Sequence, residues 1–257
     1  INVTVNKAVA AISITNIVQT YTGTAKTVTV STTPAGLSYT ITYAGSGSAP
    51  INAGLYPIVV SITDLNYQGV KNDVSLTIEK ATAAITLGNL EQTYTSAAKT
   101  PSAITTPVGL TVNFAYSFEG NPVATIINAG SYDVTATISN ANYQGTQGGI
   151  LVVNQAPLTL TANDANKKFG STFVFTGNEY DITTGQLYGT DLITSVDFFS
   201  DGAESAAAVG DYDIILSNAQ GSGLSNYDIV YEAGTLSVSD KTTLSLVGLT
   251  AAGRVYD

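Results

Sequence analysis

The sequence predicts an all-β chain in which small antiparallel β-sandwiches follow one another end to end, and three observations predict it. Thr, Ser, Ala, Val, Ile, Gly and Asn dominate the composition, and these residues favour strands and turns. Apolar residues alternate with polar ones in short segments that are bounded by turn residues. Similar segments then recur in the same order along the chain, as in proteins built from tandem structural repeats.

The composition is that of a folded protein rather than of a disordered tail. Hydrophobic residues make up 44% of the chain and charged residues 11%, so packed cores can form. The length of 257 residues corresponds to one or two domains of ordinary size. The internal repeats, rather than the length, therefore decide where the predicted domains begin and end.

Two long stretches of the chain share an ordered series of matches. The matches are YTGTAKTVTVSTTPA (21–35) with YTSAAKTPSAITTPV (94–108), INAGLY (51–56) with INAGSY (127–132), and NYQG at both 66–69 and 142–145. A third stretch is a divergent relative, with GDYD at residues 210–213 and NYD at residues 226–228 in the corresponding places. Chance does not produce this order of matches, so the stretches are repeats of one unit.

The ends of the units, which we call seams, repeat as well. The seam sequences are VTVNKA (3–8), LTIEKA (76–81), LVVNQA (151–156) and LSVSDK (236–241). From Lys7 to Lys80, Gln155 and Lys241 the intervals are 73, 75 and 86 residues. The predicted domains are residues 8–80, 81–155 and 156–240, flanked by the end of a preceding repeat (1–7) and the start of a further one (241–257). We therefore expect the chain to be a piece of a longer protein.

Within each unit the hydrophobic period is that of strands. The predicted strands include residues 38–43, 56–63, 74–78, 112–118 and 132–138. Turn signals rich in Gly, Pro and Asn separate them. About six or seven short strands per unit, with no helical period, predict an immunoglobulin-like sandwich, and a β-grasp arrangement is the alternative. The alanine-rich run at residues 203–209 is predicted to be a loop.

The recurrent motifs resemble a known kind of repeat. YTGT at residues 21–24, the Asn-Ala-Gly-x-Tyr pattern and NYQG resemble the MBG- and YDG-type repeats of large bacterial surface proteins. The third unit is similar to the MBG variety, and Val255-Tyr256-Asp257 resembles the opening of a YDG unit. This resemblance implies a long extracellular, adhesin-like protein with many such modules, and it implies no catalytic residues.

Composition and charge exclude several classes of function. The chain contains no His, Cys, Met or Trp, so it lacks the commonest general base, the thiolate nucleophile and the usual zinc ligands. No spacing marks a catalytic pair of carboxylates. The net charge of −10 disfavours nucleic acids and anionic membrane surfaces, and no apolar run of membrane-spanning length occurs. We therefore predict a chain that is not an enzyme, is a monomer, and binds neither nucleic acid nor a membrane.

The third unit holds most of the acidic residues, with twelve of the 19 between Asp164 and Asp240. Five of them form the candidate calcium site: Asp197, Asp201, Glu204, Asp211 and Asp213. Their spacing matches no compact calcium loop, and a solvated acidic face that keeps the protein soluble explains them equally well. No cofactor is predicted, and calcium is the one candidate ion.

Tyrosines and lysines recur once per unit. Tyr56, Tyr132 and Tyr212, each at the start of a strand, are expected to pack at a sandwich corner and to bond a nearby backbone group; a sugar-stacking platform is the alternative. Tyr67, Tyr143 and Tyr227 follow Asn and are expected to anchor turns. Lys7 and Lys80 are expected to be exposed linker residues, and Lys–Asn isopeptide cross-links are the alternative. The seams are expected to be two or three residues long.

The predicted function is that of a structural stalk or spacer in an extracellular, adhesin-like protein on a bacterial surface. Its partners would be the neighbouring repeats of the same chain. Short seams restrict rotation between neighbours, so a semi-rigid rod of roughly 100–140 Å is expected for three units. The alternative is a module that binds a glycan or a host protein, most readily through the acidic third repeat.

Overall fold

The structure, a computed structural model of the chain, describes residues 5–240. The predicted start of a further repeat at 241–257, with Val255-Tyr256-Asp257, and residues 1–4 of the preceding one lie outside the described residues. We call residues 8–80, 81–155 and 156–240 the first, second and third repeats. By their contacts the described residues divide into two compact units, one of residues 5–90, 100–125 and 132–151 and the other of residues 91–99, 126–131 and 152–240.

The first repeat lies wholly in the first unit. Its strands are β1 (Ala8–Val9), β2 (Ala11–Thr15), β3 (Val18–Thr20), β4 (Thr29–Thr33), β5 (Tyr39–Tyr43), β6 (Gly54–Ile62), β7 (Tyr67–Gln68) and β8 (Val70–Glu79). One sheet has the order β3-β8-β6-β5, β2 pairs with β4, and β1 pairs with β7. Ile58 and Val60 on β6 pack with Leu76 on β8 at the centre of the core, and all three are fully buried.

The second repeat has the same order of strands with one addition. Its strands are β9 (Ala81–Thr82), β10 (Ala84–Gly88), β11 (Glu91–Thr93), β12 (Ser102–Thr106), β13 (Val112–Phe118), β14 (Asn121–Val123), β15 (Gly130–Ile138), β16 (Tyr143–Gln144) and β17 (Thr146–Asn154). β10 pairs with β12, β13 pairs with both β14 and β15, β11 pairs with β17, and β9 pairs with β16. Alternate residues of β15 from Tyr132 to Ile138 are buried, which is the period of two that the sequence predicts.

The third repeat has two sheets, of three and four strands, and contains the longest strand, β22 with 13 residues. Its elements are β18 (Ala156–Ala162), β19 (Ala165–Lys168), β20 (Tyr180–Thr184), β21 (Leu192–Phe199), β22 (Gly210–Ser222), a 3-10 helix (Leu224–Asn226), β23 (Tyr227–Glu232) and β24 (Gly234–Ser239). One sheet has the order β20-β18-β23 and the other has the order β19-β24-β22-β21. Leu158 and Leu160 of β18 are fully buried, as are Ile214 of β22 and Leu236 of β24. These leucine and isoleucine side chains form the core of the repeat.

The chain is all-β with immunoglobulin-like repeats, as the sequence predicts. The described residues contain no α-helix, which disfavours the β-grasp alternative, and no helix among them could cross a membrane. Residues 203–209 form neither strand nor helix, as expected. The sandwiches also contain parallel pairs beside their antiparallel ones, because β3, β11 and β19 pair in parallel with the last strand of their repeats. Each of these short strands returns to the sheet through a crossover, which is the connection that parallel pairing requires.

Candidate functional site: the repeat junctions

The seams between the repeats are shorter than predicted, with one residue each in place of two or three. Lys80 alone separates β8 from β9, and Gln155 alone separates β17 from β18. A single residue supplies only two soft backbone dihedrals. The seams therefore leave adjacent strands of neighbouring repeats little freedom to turn.

The seam side chains are exposed, as expected of linker residues, but each also bonds a turn of the repeat that follows. Lys80 Nζ donates to the carbonyl of Asn140 at 2.7 Å, and Gln155 Nε2 donates to the carbonyl of Ser225 at 2.9 Å. The amine of Lys80 contacts a backbone carbonyl, whereas the carboxamide oxygen of Asn140 accepts from two backbone amides. The expectation of a simple exposed linker was therefore incomplete.

The first junction, within the first unit, joins the first and second repeats. The carboxamide oxygen of Asn142 accepts a hydrogen bond from the backbone N–H of Ala53 at 2.8 Å, and its Nδ2 donates to Oδ1 of Asn52 at 3.1 Å. Beside this pair, the ring of Tyr21 meets the ring of Tyr143 edge-on, with centroids 5.4 Å apart. One Asn-Tyr dipeptide therefore engages both an Asn-Ala turn and a tyrosine of the preceding repeat.

The second junction, within the second unit, joins the second and third repeats with the same contacts. Asn226 Oδ1 accepts from the N–H of Ala129 at 2.8 Å, and its Nδ2 donates to Oδ1 of Asn128 at 3.4 Å. The rings of Tyr94 and Tyr227 meet edge-on with centroids 5.5 Å apart. These residues occupy the positions of the first junction's residues in the repeat, so the arrangement is a recurring one.

Local structure explains why the preceding repeat always presents the same two groups. Tyr21 directly follows β3, and its N–H donates to the carbonyl of Glu79 at the end of β8. Tyr94 follows β11 and bonds Asn154 in the same way. The Asn-Ala turn lies immediately before β6 in the first repeat and before β15 in the second. Parallel pairing with the last strand thus places the tyrosine at the end of the repeat that carries the seam.

The Asn-Tyr dipeptide is held by different turns in the second and third repeats. In the second repeat, Oδ1 of Asn140 accepts from the N–H groups of Asn142 and Tyr143 at 2.8 and 3.1 Å, which is an Asx-turn. In the third repeat, the 3-10 helix takes its place, and the N–H of Asn226 donates to the carbonyl of Gly223 at 3.0 Å. Two different turns therefore present the same pair of side chains.

The second junction contains a carboxylate clamp built around Asp191. Its Oδ2 accepts hydrogen bonds from the hydroxyls of Tyr94 at 2.7 Å and Tyr227 at 2.8 Å. The N–H of Tyr188 donates to the Tyr227 hydroxyl at 2.6 Å, and the two rings stack 6.4 Å apart. Tyr188 and Asp191 belong to the loop between β20 and β21. This loop thus ties one tyrosine from each repeat to a single carboxylate.

Burial and the carboxylate together set the protonation of the clamp. Tyr94 and Tyr227 are each 3% exposed. Burial first, and then the hydrogen bond to Asp191, raise the pKa of Tyr94 to about 12. Burial and Asp191 also raise the pKa of Tyr227 to about 12, against the opposing N–H of Tyr188. Both hydroxyls therefore remain protonated donors well above neutral pH.

A glycine makes room for the clamp. Gly223 has a φ of +74°, a conformation that side-chain-bearing residues rarely adopt. A Cβ at this position would lie 2.0 Å from Oδ1 of Asp191. Any larger residue at 223 would therefore displace the carboxylate from the two tyrosine hydroxyls.

The structure confirms the role predicted for the corner tyrosines and adds a second role to the tyrosines that follow Asn. Tyr56 and Tyr212 donate from their hydroxyls to the carbonyls of Asn52 and Ala208 at 2.9 and 3.0 Å, which confirms the corner interpretation. Tyr132 is 6% exposed and packs against Phe118. The other set, Tyr67, Tyr143 and Tyr227, was expected only to anchor turns. Two of its members, Tyr143 and Tyr227, also form the aromatic part of a junction, a role that the recurrence of Asn-Tyr in every repeat could have suggested.

The five candidate calcium ligands are not brought together. Asp197 Oδ2 accepts from Asn218 at 2.8 Å, and Asp211 Oδ1 accepts from the hydroxyl of Ser237 at 2.6 Å. Asp201 lies in a turn, and Asp213 lies on the exposed side of β22. The backbone carbonyl of Glu204 accepts a hydrogen bond from the buried Lys167. Among residues 5–240, no group of three acidic side chains could hold a metal ion. Calcium binding stays a prediction without a formed site.

Comparison with known proteins identifies the repeats. A profile of the MBG domain matches residues 10–82 and 83–157, and a profile of the MBG domain (YGX type) matches residues 158–237. Comparison with curated proteins finds no sequence that matches the chain.

Similar solved structures are strings of domains. They include three N-terminal domains of the bacteriophage RB49 highly immunogenic outer capsid protein (13% identity, 91% of this chain and 100% of that one, TM-score 0.27). The I67–I69 fragment of titin is 10% identical, with 91% of this chain and 99% of that one covered and a TM-score of 0.33. The four N-terminal Ig domains of Dscam1 isoform 9.44 are 13% identical, with 90% of this chain and 73% of that one covered and a TM-score of 0.26. These scores are too low to carry an argument about function. The family profiles together cover most of the chain, which therefore belongs to the MBG domain family.

Proposed function

We propose that the chain is a spacer segment of a bacterial extracellular, adhesin-like surface protein, in which each MBG repeat is fixed to the next. The observation that carries the proposal is the recurrence of one junction behind two single-residue seams. A stalk needs its modules to keep a set orientation, because freely hinged modules would coil and lose reach. The Asn-Tyr dipeptide supplies that restraint once per repeat.

Other features support the same proposal. MBG repeats are typical of surface proteins, which agrees with an extracellular location. The lack of His and Cys supports a role without catalysis, and the acidic surface of the third repeat supports solubility in a crowded layer. The partners of each repeat are then its own neighbours in the chain, and the protein works as a monomer.

Small-angle X-ray scattering tests the spacer proposal. We expect a maximum dimension above ~100 Å that calcium does not change. Inserting Gly-Gly-Ser after Gln155 should shorten the average maximum dimension of the particle, because the added residues make the seam flexible. The matched control places the same three residues after Ser46, in an exposed loop inside the first repeat, and should leave the dimension unchanged. A compact particle, or equal effects of the two insertions, would contradict the proposal.

A second candidate, binding of a glycan or host protein by the third repeat, is favoured by one feature. Its half-buried rings form a chain of contacts: Phe173 with Phe175 at 5.0 Å, Phe175 with Phe198 at 5.3 Å, and Phe198 with Tyr180 at 6.4 Å. A pocket beside them is also lined by Asp197. Aromatic faces next to a carboxylate suit sugar rings with their hydroxyls. A glycan array probed with the chain and with its Phe175→Ser variant tests this, and an array without signal would count against it.

A further inference from the structure

We propose that the N-terminal end of the first repeat is a docking surface for another MBG repeat, one of the type found in residues 8–155, that precedes Lys7 in the same polypeptide. We call this surface, formed by Lys7, Leu65, Asn66 and Tyr67, the leading face. The inference rests on the proposed function and adds to it the kind of repeat that the leading face accepts.

The leading face has the same construction as the corresponding face of the second repeat. Oδ1 of Asp64 accepts from the N–H groups of Asn66 and Tyr67 at 2.7 and 3.2 Å, as Asn140 does for its own Asn-Tyr pair. Lys7 Nζ donates to the carbonyl of Asp64 at 2.7 Å, the same length as the bond from Lys80. The N–H of Ala8 donates to the carbonyl of Asn66 at 2.9 Å, which matches the equivalent bond of the second repeat.

Of the two side chains that carry the junction, Asn66 is exposed at this face and Tyr67 is half-buried. The carboxamide of Asn66 is exposed and makes no hydrogen bond with residues 5–240, whereas Asn142 and Asn226 each bond an Asn-Ala turn. Leu65 is 86% exposed. A pocket of about 440 Å³ lies between the seam residues and the Asn-Tyr pair, and the leading-face residues line it. The face therefore has its turn formed, and residues 5–240 leave the carboxamide of Asn66 free for a partner.

The two observed junctions define the chemistry of the occupant. It must offer a backbone N–H in an Asn-Ala turn to the carboxamide of Asn66, and a tyrosine ring edge to Tyr67. The first and second repeats both offer these groups at their far ends, through Asn52-Ala53 and Tyr21, or Asn128-Ala129 and Tyr94.

The third repeat does not offer the same groups. Phe169 occupies the tyrosine position, since its N–H donates to the carbonyl of Ser239 as Tyr21 does to Glu79. Ala208 and Val209 stand before Gly210 where the other repeats have Asn and Ala. Without the Asn side chain, the third repeat lacks the carboxamide that accepts from Nδ2 at both junctions. The leading face should therefore distinguish between the two kinds of repeat.

The sequence of the seam places this occupant in the same polypeptide. VTVNKA at residues 3–8 has the pattern of LTIEKA and LVVNQA, in which the last strand of one repeat runs directly into the next. Lys7 also makes the contact that Lys80 makes at the first junction. A repeat joined at Lys7 would therefore be delivered to the leading face by the covalent chain.

The test compares the present chain with an extended one. In the extended chain, a copy of residues 81–154 replaces residues 1–6 and runs directly into Lys7. The expected result is that Asn66→Ala leaves the urea midpoint of the present chain unchanged. In the extended chain, Asn66→Ala should lower the urea midpoint at which the added copy unfolds. The decrease should equal the one that Asn142→Ala causes in the urea midpoint of the first repeat. A matched control carries a copy of residues 156–239 at the same place, and there Asn66→Ala should have no effect.

Hydrogen exchange supplies an independent readout. The N–H of the Ala in the added copy's Asn-Ala turn should exchange slowly, and Asn66→Ala should return it to the rate of an exposed amide. An added copy that unfolds on its own, an Asn66→Ala change that is silent in the extended chain, or equal behaviour of the two added copies would overturn the proposal. Scattering from the present chain tests the spacer function separately, so failure of one can be told from failure of the other.

Discussion

The two junctions share one set of hydrogen bonds but differ in how deeply it is buried. At the first junction, Asn142 and Tyr143 are half-buried. At the second, Asn226 and Tyr227 are 5% and 3% exposed, and the carboxylate of Asp191 joins the two tyrosines. The lengths of the shared N–H to carboxamide bonds are equal, at 2.8 Å. The Asn-Tyr pair therefore sets the geometry of both junctions, and the loop that carries Asp191 adds hydrogen bonds to the second one.

The difference between the junctions comes from one loop of the repeat that follows. In the third repeat the loop between β20 and β21 carries Tyr188 and Asp191 into the junction. In the second repeat the loop between β12 and β13 reads PVGLT at residues 107–111 and holds no carboxylate. Hydrogen bonds to a charged acceptor are about twice as strong as neutral ones, so we expect this loop to make the second junction the stronger.

The largest expected effect comes from removing the buried ring of the second junction. Tyr227→Ala should lower the free energy of unfolding by about 3–5 kcal/mol, because it leaves a cavity and removes one of the two tyrosine hydrogen bonds to Asp191. Tyr143→Ala should cost about 1–3 kcal/mol, since that ring is only half-buried. Urea unfolding followed by peptide-resolved hydrogen exchange measures both variants. Equal losses would mean that the junctions do not differ in strength.

A smaller effect should follow from neutralising the clamp without changing its shape. Asp191→Asn should cost about 1.5–3 kcal/mol, because it weakens two hydrogen bonds to a charged acceptor. The matched control, Asp181→Asn on an exposed position of β20, should change stability by less than about 0.5 kcal/mol. The loss should appear in exchange from the third repeat and not from the first. A variant as stable as the parent would show that the carboxylate adds nothing to the junction.

Much of the fold could be predicted because its signals are local. Alternation along residues 132–138 predicts β15, and the tyrosine after Gly-x predicts the corner bond of Tyr56. The junctions could not be predicted in this way, because Ala53 and Asn142 lie 89 residues apart and Tyr94 and Asp191 lie 97 apart. No local period encodes such pairs.

Buried polar groups were missed for the same reason. Asp191 is one of the twelve acidic residues of the third unit and carries no sequence signal of its own, yet it lies between two buried hydroxyls. Lys167 lies in a polar segment of the sequence, yet it is 7% exposed and donates to the carbonyls of Ser171, Ala203 and Glu204. Sequence composition shows which charged residues are present, whereas the tertiary structure determines which of them are buried.

A third expected effect is a dependence on pH, confined to alkaline solution, that only the second junction should show. The pKa of Tyr94 and of Tyr227 is about 12 in the folded chain and 10.0 in an ordinary tyrosine. Their contribution to stability is therefore complete below pH 10 and declines as the pH rises toward 12, because the unfolded chain loses the protons first. Urea unfolding of the third repeat across this range measures the decline.

The variant that carries Tyr94→Phe and Tyr227→Phe is the control for this dependence. It keeps both rings and removes both titrating hydroxyls, so the decline attributable to the clamp should disappear while the packing persists. The tyrosinate absorbance of the folded parent should also rise later in an alkaline titration than that of the urea-unfolded chain. If the parent and the double variant lost stability in parallel, the tyrosine hydroxyls would add nothing, and the second junction would rest on its asparagine hydrogen bonds and ring packing, as the first does.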